Sequence, residues 1–300
     1  MPPPQSNPLF IESFGGSNAS PNNAPAFRKA VAACDKAGGC TLIFREGTYR
    51  TSAINLTSNM RLQIDAGAVL EGTQNNAANC APNKEPDGSL GNCTSSSTWP
   101  VLPWPSFPSI PSGTPGGGAA PAMQAWIRTY NVTNLEITGG GVLDGGGPWW
   151  WCTRFHSALA NCPPPCREKE KLEHLLEAVW GCKDAVQAGT VPKLPYVPPR
   201  MIHLVESNNI HIHNITIRHS PYWTMHFQYS SNILFEHNDM FNPNNGSFET
   251  PNGDGIDLDS SVNALVRENV VDVGDDALCC KSGADWLGRR SGGCVVNPKP

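Results

Sequence analysis

Three aspartates have the types and spacing from which a catalytic site can be built. Asp254 lies in Asn252-Gly-Asp-Gly-Ile-Asp257, and Asp275 and Asp276 are neighbours in Gly274-Asp-Asp. Asp254 and Asp275 are 21 residues apart. A chain that winds with a coil of that length stacks them on one face, so that the three carboxylates converge. Like charges that close destabilise a fold and raise at least one pKa, which disfavours their assembly by chance. Glycoside hydrolysis needs such a cluster. One protonated carboxyl donates to the leaving oxygen, and ionised carboxylates activate a water molecule. Crowding separates the pKa values and with them the roles. Taken singly, the same residues have plainer readings: Asn-Gly-Asp-Gly is good turn chemistry, and Gly-Asp-Asp fits a turn or a calcium site.

The elements that would position these aspartates follow from a recurring pattern. Asn precedes an alternating apolar strand in Asn59-Met-Arg-Leu-Gln-Ile, Asn134-Leu-Glu-Ile, Asn209-Ile-His-Ile, Asn232-Ile-Leu-Phe and Asn263-Ala-Leu-Val. The last three are spaced by 23 and 31 residues. Period-two strands at this spacing, punctuated by Asn and Gly, predict a β-solenoid. A β-sandwich also alternates, but it would need hairpin signals more often than this chain shows them. Residues Ala24 to Ala37 place apolar side chains at helical spacing before Gly38-Gly39 and predict a helix that caps the first coil. The strand Thr41-Leu-Ile-Phe and the segment Gly47-Thr-Tyr follow. The chain reads as a single domain over residues 1–300, with loop insertions at about 74–121, rich in Pro, Gly, Ser and Asn, and about 152–195. The second carries a charged helical stretch from Glu168 to Val186.

Composition narrows the class. Of 300 residues 39% are hydrophobic and 16% charged, enough apolar material for a core. The 29 glycines and 28 prolines favour turns over long helices. The net charge is −5, and no basic run exists that could neutralise nucleic-acid phosphates or bind an anionic membrane. No apolar run reaches membrane-spanning length. Eleven cysteines point to an oxidising compartment. Six of them, Cys80, Cys93, Cys152, Cys162, Cys166 and Cys182, are placed to restrain the insertions. No CxxC pair suggests zinc. The sequons at Asn55, Asn92 and Asn131 agree with secretion, although no signal peptide is visible in the first residues.

With these residues in view, the chain resembles glycoside hydrolase family 28, the polygalacturonases. Asn252-Gly-Asp-Gly-Ile-Asp257 is similar to the family's Asn-Thr-Asp-Gly motif, with Gly253 in the place of Thr. Gly274-Asp-Asp, continuing into Cys280-Lys-Ser-Gly283, resembles its Asp-Asp motif. The likeness extends to Ser220-Pro-Tyr-Trp-Thr-Met-His226, Gly141-Val-Leu-Asp-Gly145 with Pro148-Trp-Trp-Trp, Gly47-Thr-Tyr and Ile54-Asn-Leu. The resemblance implies an all-β, right-handed parallel β-helix of the pectin lyase-like kind and an inverting hydrolase of pectin, with no metal or organic cofactor. Carried over, Asp275 is the general acid, and Asp254 and Asp276 activate the water. Inversion predicts an acid and base far enough apart to admit that water. Asn252 would shape the site. Lys281 would contact an acidic sugar, or be an ordinary solvated lysine. His226 would line the substrate groove, or be packed. Trp223 is expected in the core. A secreted, monomeric protein acting on cell-wall polysaccharide is expected, with no nucleic-acid or membrane partner.

Two family motifs are absent: a Gly-His-Gly turn after the aspartate pair and a later Arg-x-Lys. The expectation is a C-terminally incomplete chain of impaired activity, with an uncapped last coil. A non-catalytic carbohydrate-binding or structural solenoid is the alternative from another class, and a calcium-dependent pectin eliminase is a third.

Overall fold

The computed structural model describes residues 8–73, 101–102, 122–147, 150–151, 198–242, 250 and 252–282. The helical stretch expected at 168–186 and the six cysteines of the insertions lie outside these residues, as do most of the two insertions. Strand β1 (Pro8–Phe10) and a short 3-10 helix (Ile11–Phe14) lead into helix α1 (Ala24–Lys36). The first coil holds β2 (Cys40–Phe44), β3 (Gly47–Thr51) and β4 (Ile54–Asn55). The second holds β5 (Met60–Ile64) and β6 (Ala68–Gly72). An antiparallel pair, β7 (Val101–Leu102) and β8 (Ala122–Met123), separates them from the coil's third strand, β9 (Ile127–Tyr130). Next come β10 (Thr133–Thr138), β11 (Val142–Asp144) and β12 (Ile202–Val205). Then follow β13 (Asn208–His213), β14 (Thr216–Arg218) and β15 (Met225–Gln228). The last two coils are β16 (Ser231–Glu236), β17 (Asp239–Phe241) and β18 (Ile256–Asp259), and β19 (Val262–Arg267), β20 (Val270–Asp272) and β21 (Leu278–Lys281).

Each coil gives one strand to each of three parallel sheets. The first sheet, seven strands, runs β1-β2-β5-β10-β13-β16-β19; the second runs β3-β6-β11-β14-β17-β20; the third runs β4-β9-β12-β15-β18-β21. This is a parallel β-helix, the β-solenoid that the repeat predicts and the architecture that the resemblance implies. The register explains why period-two patterning is enough to specify it. Leu62, Ile137, Ile212 and Phe235 are successive partners in the first sheet. Leu70, Leu143, Ile217 and Met240 are partners in the second, and Ile54, Ile127, Ile202, Met225 and Ile256 in the third. All these side chains are buried, so each coil's apolar residues pack directly on those of its neighbours. The last described coil differs, for Leu278, the partner of Ile256, is 52% exposed.

The recurrent asparagines mark one corner of the helix. Asn59, Asn134, Asn209, Asn232 and Asn263 all have φ between 54° and 58°, the left-handed conformation that Asn tolerates better than other side chains. Their amides form ladders. Asn134 Nδ2 donates to Asn59 Oδ1 at 2.7 Å and Asn209 Nδ2 to Asn134 Oδ1 at 2.6 Å, and Asn263 donates to Asn232. One residue therefore turns the chain and links the coils.

Helix α1 forms where predicted. It buries Ala24, Ala26, Phe27, Ala30 and Cys34, and Phe27 stacks on Phe44 with ring centroids 5.9 Å apart, which covers the apolar end of the first coil. It ends at Gly38, whose φ of 76° reverses the chain. A disulfide joins Cys34 in the helix to Cys40 in β2. This is the pairing seen among the described residues, and it lies in the body of the fold.

Candidate active site

The aspartates are carried by the third sheet and the turns that enter it. In β18 the inward residue Ile256 alternates with the outward Asp257 and Asp259; in β21 the outward residues are Cys279 and Lys281. Ile256 partners Leu278, an offset of 22 residues, so the turns just before these strands bring Asp254 close to the Asp275-Asp276 pair. The two turns are held tightly. The Gly255 amide donates to the Asp276 carbonyl at 2.8 Å, and a Cβ on Gly255 would lie 2.5 Å from the Ala277 carbonyl oxygen. Buried Asn242 donates to the carbonyl of Gly253 at 3.2 Å and to the Thr224 hydroxyl at 2.8 Å. Gly253, the departure from the family's Thr, has a physical reason here: a Cβ would come within 2.8 Å of the Thr250 Cβ.

This geometry brings one carboxylate oxygen each of Asp254, Asp275 and Asp276 within 4.8 Å of one another. Asp254 is buried, and Asp275 and Asp276 are exposed. Oxygens this close suit one water bridging two carboxylates, because two hydrogen bonds of ~2.7 Å span such a separation.

Lys281 is the counter-charge of the cluster. Its Nζ donates to Asp254 Oδ2 at 3.0 Å, lies 2.9 Å from Asp257 Oδ1, and sits 4.5 Å from the centre of the Trp223 ring. Burial works to lower the lysine's pKa, but the two carboxylates outweigh it and keep the ammonium charged. Burial raises the carboxyl of Asp254; Lys281 opposes the rise and Asp275 adds to it, with a net shift upward. Asp257 is fully buried, and its burial pushes the carboxyl up to about 7 against the pull of Lys281. Asp254 Oδ1 is buried without a hydrogen-bond partner, so it can accept a bond from an incoming water.

Several sequence expectations are corrected. His226 does not line the groove. It is 1% exposed, stacks on His203 with centroids 4.4 Å apart, abuts the edge of Trp223 and reaches Asp259 Oδ2 at 3.3 Å. Burial, with Arg200 and Lys281 nearby, holds its pKa well below the ordinary value, so it is a neutral wall residue. Trp223 is not core. It is half-buried at the rim, with the Arg200 guanidinium 4.8 Å and the Lys281 ammonium 4.5 Å from its ring centre. Lys281 is tied to the aspartates and is not simply solvated. Asn252, with φ 50°, supplies the left-handed turn residue before Asp254.

Asp257 and Asp259 escaped selection as site residues. Asp257 closes the motif that carries Asp254, and alternation places both on the outward face; that was the available signal. Asp259 accepts from Gln228 Nε2 at 3.1 Å and from the Ser260 hydroxyl at 3.0 Å, and Gln228 in turn meets His203 at 3.0 Å. This network fixes the wall behind the aspartates.

Residues 183–294, which contain all five of these aspartates, match the family described as Glycosyl hydrolases family 28. A probable polygalacturonase of Vitis vinifera is 30% identical over 281 residues, covering 92% of this chain and 44% of that protein. An exo-poly-alpha-D-galacturonosidase of Dickeya chrysanthemi is 26% identical over 261 residues, 85% of this chain and 38% of that protein. The chain thus spans less than half the length of these relatives. Among solved structures, a hyperthermoactive exopolygalacturonase from Thermotoga maritima superposes with a TM-score of 0.64 at 22% identity, over 96% of this chain and 57% of that one, which supports the fold. Taken with the aspartate motifs and the parallel β-helix that carries them, these matches place the chain in glycosyl hydrolase family 28.

Proposed function

We propose that the chain carries the hydrolytic site of a pectin-degrading glycosidase acting on polygalacturonan or a related acidic polysaccharide. The observation that carries this reading is the convergence of the Asp254, Asp275 and Asp276 carboxylates beside the ammonium of Lys281. Asp275, exposed on the outer face, donates its proton to the glycosidic oxygen. Asp254 and Asp276, on successive coils, hold the water and take its proton as it attacks the anomeric carbon. A raised carboxyl pKa suits Asp254 to that work, because a base is most effective when its pKa approaches the working pH. Asn252 and Lys281 complete the site. Lys281 and Arg200 around Trp223 give the rim a positive, aromatic character that fits a sugar ring bearing a carboxylate.

The same reading makes the protein a secreted, cell-wall-directed monomer. The cysteine content and the Cys34–Cys40 disulfide support the secreted part of this reading. Among the described residues no helix is long and apolar enough to cross a membrane.

The test is reducing-end release from polygalacturonic acid by the chain and by Asp275→Asn. Loss of kcat by 10²–10⁴-fold, the usual range for one acid–base group, with substrate binding retained, is expected. Binding with no hydrolysis by the unaltered chain would instead identify a carbohydrate-binding solenoid. Proton NMR of the first-formed product reports the anomer: inversion agrees with the bridged water, and retention would make one aspartate a nucleophile. A product absorbing as an unsaturated sugar would mean elimination.

A further inference from the structure

A second cluster of ligating side chains sits on the outward face of the first sheet, away from the strands that carry the aspartates. His211 and His213 are two apart in β13 and share that face; Glu136 in β10 is the register partner of His211, and Glu236 in β16 is the register partner of His213. Each imidazole reaches across to the diagonal carboxylate. His213 Nε2 lies 2.9 Å from Glu136 Oε1, and His211 Nε2 lies 3.0 Å from Glu236 Oε1. The rings stack with centroids 4.0 Å apart. Glu136, His211 and Glu236 are buried, although an outward face of a solenoid normally meets water. The second oxygen of each carboxylate is held by an arginine, Glu136 Oε2 by Arg61 at 2.8 Å and Glu236 Oε2 by Arg267 at 2.7 Å. His213 Nδ1 accepts from Asn214 Nδ2 at 3.1 Å and lies 3.3 Å from the Thr138 hydroxyl, so Nε2 carries the proton that faces Glu136, and a bound cation would displace that proton.

We propose that Glu136, His211 and His213, with Glu236 as a fourth ligand, form a binding site for a transition-metal dication of the zinc class. One ligand atom each of Glu136, His211 and His213 lies within 4.8 Å of the other two. Tetrahedral zinc with bonds of ~2.1 Å sets its ligands ~3.4 Å apart, so small side-chain rotations close the shell. Two imidazoles with carboxylates select zinc, copper or nickel over calcium or magnesium. The arginines and Thr138 take the part of outer partners that fix ligand orientation. Because the four ligands come from three successive coils, the ion would clip β10, β13 and β16 together.

The test uses the full chain freed of metal by a chelator, then titrated with Zn²⁺ by calorimetry and with Co²⁺ by visible absorption. One ion per chain, the intense bands of four-coordinate cobalt and a raised melting temperature with zinc are expected. The double variant His211→Gln/His213→Gln should bind at least about 100-fold more weakly, beyond what loss of an outer partner costs. Asp276→Asn should leave the affinity unchanged. Absence of zinc binding, a weak six-coordinate cobalt spectrum, or loss of binding in Asp276→Asn would overturn the proposal. If the histidine variant does not fold, the cobalt spectrum and zinc-dependent melting of the unaltered chain decide. None of these readouts depends on hydrolysis, so the hydrolase reading can fail without this one.

Discussion

The ammonium of Lys281 lies 3.0 Å from Asp254 and 2.9 Å from Asp257, and it offsets the repulsion between two buried carboxyls one turn apart. Lys281→Met leaves those carboxyls facing each other, so at least one holds its proton further up the pH scale. The acid limb of the pH–rate profile should move upward and kcat/KM should fall by about 10-fold or more at its former optimum. An unmoved profile would separate Lys281 from the aspartates. Asp257 gives a stability prediction. Its folded pKa of about 7 stands above the ordinary carboxylate value, so the folded chain binds a proton that the unfolded chain releases. The stability this group contributes is full below pH ~4, the unfolded value, and is lost as pH rises through about 7. In thermal melts across that window, Asp257→Asn should flatten the decline relative to the parent. Parallel curves would show that Asp257 does not titrate there.

At the scale of the element, the asparagine corner does two jobs that substitution can separate. Asn209→Ala loses the ladder bond to Asn134 and places an alanine at a φ of 57°. The bond is worth about 1 kcal/mol and the left-handed alanine costs another ~1–2 kcal/mol. Asn209→Gly loses the bond alone and so should cost less. Urea unfolding of the two variants orders them, and equal losses would mean that the backbone conformation carries no strain. The same corner was visible in the sequence because Asn repeats there. The third-sheet corners were not, because Glu206, Tyr229 and Ser260, also at positive φ, are residues whose types give no warning of it.

For the whole molecule, stability is shared between neighbouring coils. Ile212→Ala, in the middle of the stack between Ile137 and Phe235, should cost about 2–5 kcal/mol. Val266→Ala, in the last described strand of that stack, is half-buried and should cost less, on the order of 1 kcal/mol. Denaturant midpoints measure both; similar losses would argue that the last coil is packed as tightly as the middle.

The sequence by itself determined the fold class, the capping helix and the convergence of three aspartates. Those properties depend on local patterning: a period of two fixes which side chains face inward, and a coil-length spacing stacks like positions. Only the tertiary structure decided the rest. The strands that follow the two turns are offset by 22 residues, one more than the spacing of Asp254 and Asp275. Packing between coils buried His226 and left Trp223 at the rim, although the two are only three residues apart. It also gathered Lys281 with Asp257, and Glu136 with His213 from strands 77 residues apart. Distances between side chains on different coils depend on coil lengths and loop paths, which the alternation within one strand does not encode.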